Sequence, residues 1–528
     1  MSAAVLAAAA VAAGVVLFFR ATVFSGSQVR SMRWRIRLHL HPGPGFATIA
    51  ELWCRWSRHA AIGHGRRARP GLRLRRRLTA RTTDYAVRLG RGQWFRRAYA
   101  RLEDQVLVCA APRTGKSGLV ADRILDHPGP VLATSTRADL YESTAGARAL
   151  RGPVHVFNPQ GTGGVPSTLQ WDLLGPCRDL VMARRMASWL KVPGISGDLR
   201  WFEQKGDVAL AALLWAAAVT GRTILDVYEW VQLHGHVTCL EILADHPGSS
   251  RQMFAVARRM FEENRTSGSI RDTIDLTLSW SILPGLAEAV TPPPGEGFSA
   301  PDFTGGCGTL YMIASGDDDS PLTSVFRALA SWCHYEAGLA GSRGRHRRLD
   351  PPLLMALDEV TQVCPVDLPV MLSDSAGKGV LITAVCHSVS QLEHRWGKQG
   401  ADTIWSTCGT KVLLGSISDP DTLERASKLC GNVRAEDGRE PVVPPELLRM
   451  LPDWRALVIR MNLSPVVVKV RPAWRRPGYR FGRHPLPVPR LYTQVPEPAM
   501  PDVPPLGPVP APSNGHGGKP GPLVKAEQ

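Results

Sequence analysis

The residues with the clearest chemistry form a short polar segment that directly follows an apolar one. Residues 105–111 read QVLVCAA, which is typical of a buried strand, and the segment Pro112-Arg113-Thr114-Gly115-Lys116-Ser117 comes next. A helix is predicted over 116–126, so a strand, a loop and a helix succeed one another. In that setting, successive backbone N–H groups and the positive end of the helix can surround phosphate groups. The sequence therefore predicts that Ala111 to Ser117 bind a nucleotide.

Two side chains of this loop have distinct predicted roles. Lys116 is placed to reach the β- and γ-phosphates, and the hydroxyl group of Ser117 is placed to bind Mg²⁺. The usual pattern, GxxxxGK[ST], begins with a glycine, and Ala110 takes that position here. Because a Cβ atom is often unwelcome there, Ala110 departs from the pattern. Gly-Lys-Ser alone occurs by chance in many proteins, so the interpretation depends on a second motif.

The second motif is a pair of carboxylates at the end of another apolar run. Residues 353–357 read LLMAL and are followed by Asp358 and Glu359. A strand of this kind presents both carboxylates at its C-terminal edge, where Asp358 could complete a Mg²⁺ shell with Ser117. Glu359 could then orient and polarise the attacking water. The alternative is that the pair only caps the following helix. Together, the two motifs predict an ATP hydrolase that uses ATP and Mg²⁺.

His387 is a third candidate for the catalytic set, beside Lys116 and Glu359. It follows the strand predicted over 380–385, next to the strand that carries the acids. A polar residue at the tip of that strand can touch the γ-phosphate of a bound nucleotide. The alternative is a histidine that caps a helix or packs in the core.

The spacing of the two motifs predicts an inserted domain. Lys116 and Asp358 are 242 residues apart, more than a compact nucleotide-binding core needs. Residues 178–290 show apolar residues at helical spacing, which predicts an all-α insert of four to six helices in a separate lobe. Elsewhere, strands separated by helices predict an α/β fold with a parallel sheet covered on both faces. Besides the strands named above, these lie at 130–135, 153–157, 309–314, 410–414, 456–460 and 466–470.

The positive charge of the chain is concentrated near its beginning. The formal net charge is +17, and residues 20–101 hold 20 arginines, no lysine and two acids. The rest of the chain is nearly neutral, so a fold that wraps nucleic acid with its whole surface is not indicated. Within the basic arm, residues 25–101, arginine alternates with tryptophan, as in Trp53, Arg55 and Trp56. The arm could bind anionic lipid headgroups or DNA phosphates, and its sequence leaves both open.

An apolar stretch precedes the arm. Ala3 to Phe19 carry no charge, which predicts a transmembrane helix within residues 1–24; a signal peptide or a buried helix is the alternative. The arginines that follow would keep the bulk of a single-pass protein of the plasma (inner) membrane in the cytoplasm. Residues 485–528 hold 13 prolines among 44 residues, which predicts a disordered tail. The predicted divisions are 1–24, 25–101, 102–177, 178–290, 291–470 and 471–528.

In combination, these motifs resemble the type IV secretion coupling proteins of bacterial conjugation, the TraG/TraD-like membrane ATPases. The resemblance extends over about residues 102–470. It is carried by APRTGKS (111–117), PVLATSTRADL (130–140), FNPQ…STLQWDLL (157–174), Trp201-Phe202-Glu203, LLMALDEV (353–360), HSVSQL (387–392) and KVLLGSISDPDTLERASKLCG (411–431). Two further positions depart from the family besides Ala110. His387 stands where glutamine is usual, and Ala376 stands where an arginine finger is frequent, with Lys378 two residues on.

The resemblance implies a RecA-like P-loop ATPase domain with an all-α domain, assembled as a homo-hexamer beneath a membrane stem. It implies a relaxase bound to DNA, single-stranded in the family's manner, and secretion channel components as partners. Two other functions remain open. One is a nucleotide-binding scaffold that docks substrates at the membrane with little turnover. The other is a duplex DNA translocase of the chromosome-segregation type.

Overall fold

A computed structural model describes residues 28–72, 80–191, 199–316, 322–435 and 438–476. Its largest feature is an eleven-stranded sheet in the order β2-β1-β13-β12-β9-β3-β8-β7-β4-β6-β5. The strands are β1 (Ala86–Arg91), β2 (Arg97–Arg101), β3 (Val106–Cys109), β4 (Val131–Ser135), β5 (Val154–Phe157), β6 (Thr309–Ile313), β7 (Leu353–Leu357), β8 (Val380–Cys386), β9 (Thr410–Leu414), β12 (Arg455–Arg460) and β13 (Val466–Lys469). A separate hairpin joins β10 (Asn432–Ala435) to β11 (Gly438–Pro441).

Helices cover the sheet and form the segment between β5 and β6. Before the sheet lie α1 (Gln28–Arg37), α2 (Ile49–Cys54) and α3 (Arg58–Ala68). The next are α4 (Lys116–Asp126), α5 (Asp139–Ala149), α6 (Leu180–Leu190), α7 (Leu199–Thr220), α8 (Ile224–Val231), α9 (His236–Asp245), α10 (Arg251–Met260), α11 (Arg265–Leu278), α12 (Pro284–Ala289) and α13 (Ala300–Gly305). The last are α14 (Leu322–Arg343), α15 (Leu368–Lys378), α16 (Val389–Thr407), α17 (Pro420–Cys430) and α18 (Pro445–Arg449).

The parallel half of the sheet explains how the motifs meet. The strands from β5 to β9 in the sheet order pair in parallel, so their carboxyl ends lie at one edge. β8 lies between β3, which leads into the phosphate loop, and β7, which ends in the acids. All nine predicted strands and the helix after the loop are present, and they form because continuous apolar runs suit a sheet buried on both faces. The predicted α/β fold, with parallel strands and helices over them, is confirmed for this half of the sheet.

The prediction that residues 25–101 form an arm before the ATPase domain is wrong, because β1 and β2 lie within this range and extend the sheet. β1 pairs antiparallel with β13, β13 with β12, and β12 with β9. The sheet is therefore mixed rather than parallel throughout. The arginines of this segment are accommodated by acids elsewhere. Arg88 of β1 forms an ion pair with Asp122 of α4 at 2.8 Å. Trp56, in the loop after α2, is fully buried. Much of the predicted arm is therefore a part of the fold.

The prediction of a separate helical lobe is also wrong. Residues 178–290 contain no strand among those described, and α6 to α12 are seven helices rather than four to six. The first of them packs on α14 beside the sheet, where Arg327 of α14 donates to the carbonyl of Ser188 at 3.2 Å. Trp189 of α6 lies against Tyr335 of α14, with ring centroids 6.0 Å apart. One continuous apolar core runs from the sheet into α7, since the insert buries its apolar faces against the nucleotide-binding layer.

Two predicted features fall outside the described residues. These are the transmembrane helix within 1–24 and the proline-rich tail of residues 485–528. Among the helices that the structure does describe, none combines the length and the apolar character needed to cross a membrane.

Candidate nucleotide site

The predicted phosphate loop is a tight turn between β3 and α4. The backbone of Arg113 and that of Gly115 are left-handed, with φ of 62° and 101°. The hydroxyl group of Thr114 donates to the carbonyl of Ala111 at 2.6 Å, which fixes the turn. Lys116 and Ser117 then open α4, and Pro112 and Arg113 are exposed. A turn of this shape directs N–H groups to one side and forms an anion-binding hollow.

Two features of the loop require glycine at position 115: the close packing of Trp454 and the left-handed backbone. A Cβ atom at this position would lie 2.5 Å from the indole ring of Trp454, which packs directly on the loop. The left-handed φ of Gly115 would strain any other residue in addition. Trp454 therefore closes the loop on one side, although it belongs to no motif near the loop in the sequence.

Ala110 fits its position without distortion. It is fully buried in the apolar core, and its N–H group donates to the carbonyl of Cys386 at 3.1 Å. Its carbonyl oxygen lies 2.9 Å from Nδ1 of His387. Ala110 thus continues the pairing of β3 with β8, so the missing loop glycine has a structural explanation.

The two acids of β7 lie beside the phosphate loop. Nζ of Lys116 is 4.0 Å from Oδ1 of Asp358 and in direct ion-pair contact with Oε1 of Glu359. The carbonyl of Asp358 accepts a hydrogen bond from the hydroxyl group of Thr134 at 3.0 Å. Glu359 has a left-handed backbone with φ of 49°, an uncommon conformation that turns the chain just after the strand. β4 and β7 therefore hold this corner of the site together.

His387 joins the loop to the acid strand. Its Nδ1 atom can only donate to the carbonyl of Ala110, since a carbonyl is an acceptor. That bond directs Nε2 toward Oε1 of Glu359, 3.3 Å away. Gln391 accepts a hydrogen bond from the backbone N–H of His387 at 2.9 Å. The structure thus brings all three predicted catalytic residues into one cluster.

Burial shifts the titration of the charged groups. It raises the pKa of Asp358 to about 6, against a smaller opposing effect of Lys116. It also lowers the pKa of Lys116, which the carboxylate of Asp358 partly restores. Both shifts have the same cause: burial removes the water that would solvate the ionised forms of Asp358 and Lys116.

The residues present fit a nucleotide with Mg²⁺. Oδ1 of Asp358 and Oε2 of Glu359 are buried and have no hydrogen-bond partner among the described residues. Ser117 lies in the first turn of α4, at the same edge of the sheet as Asp358. Carboxylate and hydroxyl oxygens are suited to Mg²⁺, which needs few protein ligands when phosphates supply others. Asp358 and Ser117 would hold the ion.

Sequence reasoning missed several residues around the site. Arg137 and Asp139 follow β4, and their charges act on Lys116, lowering and raising its pKa respectively. Both lie within the motif 130–140, so the turn after that strand was the available signal. Thr134 lies in the same motif, but its contact with Asp358 depends on the pairing of β4 with β7. Trp454 gave no signal, because it lies after α18 and reaches the loop only through packing.

Ala376, which stands where an arginine finger is frequent, does not lie at the nucleotide site. Ala376 and Lys378 are at the end of α15, the end that leads into the start of β8 and not toward the phosphate loop. Lys378 is engaged by Asp374. Arg348 instead approaches Ala376, and its Nη2 atom donates to the carbonyl of Ala376 at 3.3 Å.

Comparisons with known proteins point in one direction. Residues 352–441 match a family described as the TraM recognition site of TraD and TraG. VirD4 of Agrobacterium fabrum is 24% identical over 408 residues, which is 69% of this chain and 58% of VirD4. The conjugal transfer protein TraG of the same organism is 26% identical over 160 residues, 30% of this chain and 23% of TraG. The matched region thus covers less than two thirds of the length of VirD4 and of TraG.

Solved structures share the fold. The plasmid coupling protein TrwB, in complex with a non-hydrolysable ATP analogue, has a TM-score of 0.57 and 22% identity over 71% of this chain and 88% of TrwB. TrwB in complex with ADP and Mg²⁺ has a TM-score of 0.53 and 20% identity over 70% of this chain and 85% of TrwB. This chain is related to the type IV coupling proteins. The resemblance of the motifs to coupling proteins is therefore confirmed.

Proposed function

We propose that this coupling-protein relative is a membrane-anchored ATPase that connects a relaxase–DNA substrate to a type IV secretion-like channel. ATP hydrolysis would drive DNA transfer in conjugation. The observation that carries the proposal is the cluster of Lys116, Glu359 and His387 at the edge of a coupling-protein fold. Structures of the related TrwB contain nucleotide analogues or ADP with Mg²⁺, which supports ATP and Mg²⁺ as ligands.

The contacts support a division of roles within the site. Lys116 and the backbone of the loop would bind the phosphates, and Asp358 with Ser117 would hold Mg²⁺, which neutralises phosphate charge when bound. Glu359 would accept the proton of the attacking water. His387 is a positioning residue for that carboxylate, because Ala110 fixes the ring and the ring contacts Glu359.

Two substitutions test this assignment. We expect Lys116→Ala to abolish ATP binding and turnover, since the cation that meets the phosphates is lost. We expect Glu359→Gln to bind ATP and to reduce turnover by about 100-fold or more, as loss of a general base does. The measurements are ATP hydrolysis and binding of a fluorescent ATP analogue, with the exposed Lys398→Ala as the control. Wild-type turnover in Lys116→Ala, or equal loss of binding in both variants, contradicts the assignment.

The same assay separates the alternatives. A motor for relaxase-bound strands should be stimulated by single-stranded DNA. Greater stimulation by duplex DNA would favour a translocase of the chromosome-segregation type. An intact protein that binds ATP but shows no turnover with either DNA would favour the docking scaffold.

The proposed partners follow from the comparisons. The match of residues 352–441 to a TraM recognition site supports docking of a TraM-like component of the DNA-processing complex. This region includes α17 and the hairpin β10–β11, where Leu429 is half exposed. Assembly as a homo-hexamer with secretion channel components completes the proposal.

A surface on the N-terminal part of the fold supports contact with anionic membrane lipids. Its exposed apolar side chains are Leu38, Leu40, Trp53, Trp94 and Phe95, here named the aromatic patch. The N–H group of Trp94 donates to the carbonyl of His39 at 2.7 Å, and the guanidinium group of Arg96 lies 4.6 Å from the ring of Trp53. Exposed aromatic rings beside arginines suit the headgroup region of an anionic bilayer. With an anchor in residues 1–24, this surface would place the protein at the inner membrane with its bulk in the cytoplasm.

A further inference from the structure

A cavity of about 430 Å³ lies against the side of α4, away from the carboxylates of the nucleotide site. Leu119, Asp122 and Arg123 of α4 form one wall, and residues of β1 and β13 form the opposite wall. Val106, Thr383 and Val412 of the sheet form the floor. A cavity of this volume is in the range of small-molecule sites.

The cavity is strongly basic and otherwise apolar. Seven lining residues are Arg or Lys: Arg88, Arg91, Arg97, Arg123, Lys469, Arg471 and Arg475. The one lining acid is Asp122, and it is already engaged by Arg88 and Arg476. The remaining wall includes Leu89, Phe95, Trp454 and Pro472. The cavity therefore presents excess positive charge beside apolar surface.

Among the described residues, no acid forms a direct ion pair with Arg123 of this cavity. Its side chain is 7% exposed and lines the cavity, yet its Nε atom has no hydrogen-bond partner and its guanidinium forms no ion pair within the described part of the chain. Burial lowers the pKa of Arg123 to about 10, against a smaller opposing effect of Asp126, so the group remains charged at neutral pH. Asp126 itself is shared with Arg88 and Arg476 in direct ion pairs, and a buried cation without a direct ion pair is unfavourable. An anion in the cavity would supply the missing partner.

We propose that this cavity binds a small organic phosphate, about the size of a mononucleotide, whose phosphate group pairs with Arg123 and whose apolar or aromatic body lies against Phe95 and Trp454. Guanidinium groups bind phosphate oxygens in pairs, which favours phosphate among the anions. A free nucleotide and a phospholipid headgroup share this chemistry. The site is distinct from the phosphate loop and does not rest on the proposed function.

The cavity shares α4 and Trp454 with the phosphate loop, so a ligand in the cavity could influence the nucleotide site. α4 carries Lys116 and Ser117 at its beginning and lines the cavity further along. Trp454 forms part of the cavity and also packs on Gly115. A ligand here would contact both supports of the phosphate loop.

Calorimetry on the full chain in detergent tests the proposal, with AMP and dihexanoyl phosphatidylglycerol as the two probes. We expect one-to-one binding of at least one probe, with an affinity that Lys116→Ala leaves unchanged and Arg123→Met lowers at least tenfold. AMP binding alone identifies a nucleotide source, and phosphatidylglycerol binding alone identifies a lipid source. The exposed Arg343→Gln on α14 is the matched control.

A thermal melt distinguishes a ligand site from a structural role of Arg123. Met removes a buried unpaired charge and preserves the length of the side chain, so the ligand-free Arg123→Met protein should melt at the wild-type temperature or above. If that variant does not fold, Arg475→Gln at the exposed rim should weaken binding at least threefold. The absence of saturable binding of either probe to the wild type overturns the proposal. Binding that the Arg123→Met and Arg475→Gln substitutions leave unchanged overturns it as well.

Discussion

The carboxyl group of Asp358 is ionised at neutral pH in surroundings that disfavour its charge. Its pKa is raised to about 6, so the contribution of this group to stability is present below pH 4 and is lost as the pH rises through 6. We expect Asp358→Asn to raise the free energy of unfolding of the nucleotide-free protein at pH 7.5 by about 2–3 kcal/mol. The gain should disappear at pH 4. Urea unfolding at both pH values measures it, and destabilisation at pH 7.5 would show that attraction to Lys116 outweighs burial.

Gly115 and Gly161 separate backbone strain from steric contact. Both have positive φ, 101° and 64°, but a Cβ atom at Gly161 would meet nothing within 4 Å, whereas one at Gly115 would meet Trp454. We expect Gly161→Ala to cost about 1 kcal/mol of stability and to leave nucleotide binding intact. Gly115→Ala should lower stability further and abolish nucleotide binding, as measured by melting and by titration with an ATP analogue. Equal effects of the two substitutions contradict the packing role of Trp454.

The site residues that sequence could predict are those in contiguous motifs. Lys116, Asp358 and Glu359 each follow or precede an apolar strand, so their edge of the sheet could be inferred from local pattern alone. Thr134 and Trp454 could not be inferred in this way, because their contacts depend on which strands are neighbours and on packing across the sheet. Ala110 looked like a defect in the motif and is an ordinary buried residue.

At the level of elements, the strands predicted from apolar runs are present, whereas the arginine-bearing β1 and β2 were missed. β1 reads AVRLGR, and its two arginines placed it in the predicted basic arm for lipid or DNA. In the fold, Arg88 pairs with Asp122, and Arg460 of β12 pairs with Asp104 at 2.9 Å, with both partners of the second pair buried. Charge patterns report exposure only when the partners are near in sequence, and these partners are 34 and 356 residues away.

The insert is expected to be necessary for folding rather than only for substrate recruitment. Removing residues 178–290 with a short linker would take away α6, whose Trp189 packs on Tyr335, and would expose that face of α14. Exposing large apolar side chains costs about 1.5–3 kcal/mol each, so we expect a variant without a cooperative melt. The melt is followed by circular dichroism, with removal of residues 490–528 as the control that should melt as the wild type does. A deletion variant that melts cooperatively and is stabilised by ATP would restore the separate-lobe interpretation.

For the whole molecule, the basic region should act through its surface rather than as a removable arm. Deleting residues 1–101 would remove two strands of the sheet, so the aromatic patch is better tested by substitution. Trp53 and Phe95 are 54% and 63% exposed, and replacing both by serine should leave stability nearly unchanged. We expect the double variant to bind vesicles containing phosphatidylglycerol several-fold more weakly, in a flotation assay at low salt. The matched control is exposed Leu276→Ser on α11. Unchanged flotation of the double variant would locate the lipid contact elsewhere.

In the nucleotide-free site, Lys116 and Glu359 form an ion pair, so each neutralises the charge of the other. The carboxylate that would accept a proton from water is occupied by the cation that seeks phosphate, and both are largely buried. Only a stronger anion can separate them, and the phosphates of a nucleotide are such an anion. This contact would set the order of events: a nucleotide must bind before Glu359 is free to act on water, so the empty site would stay inactive.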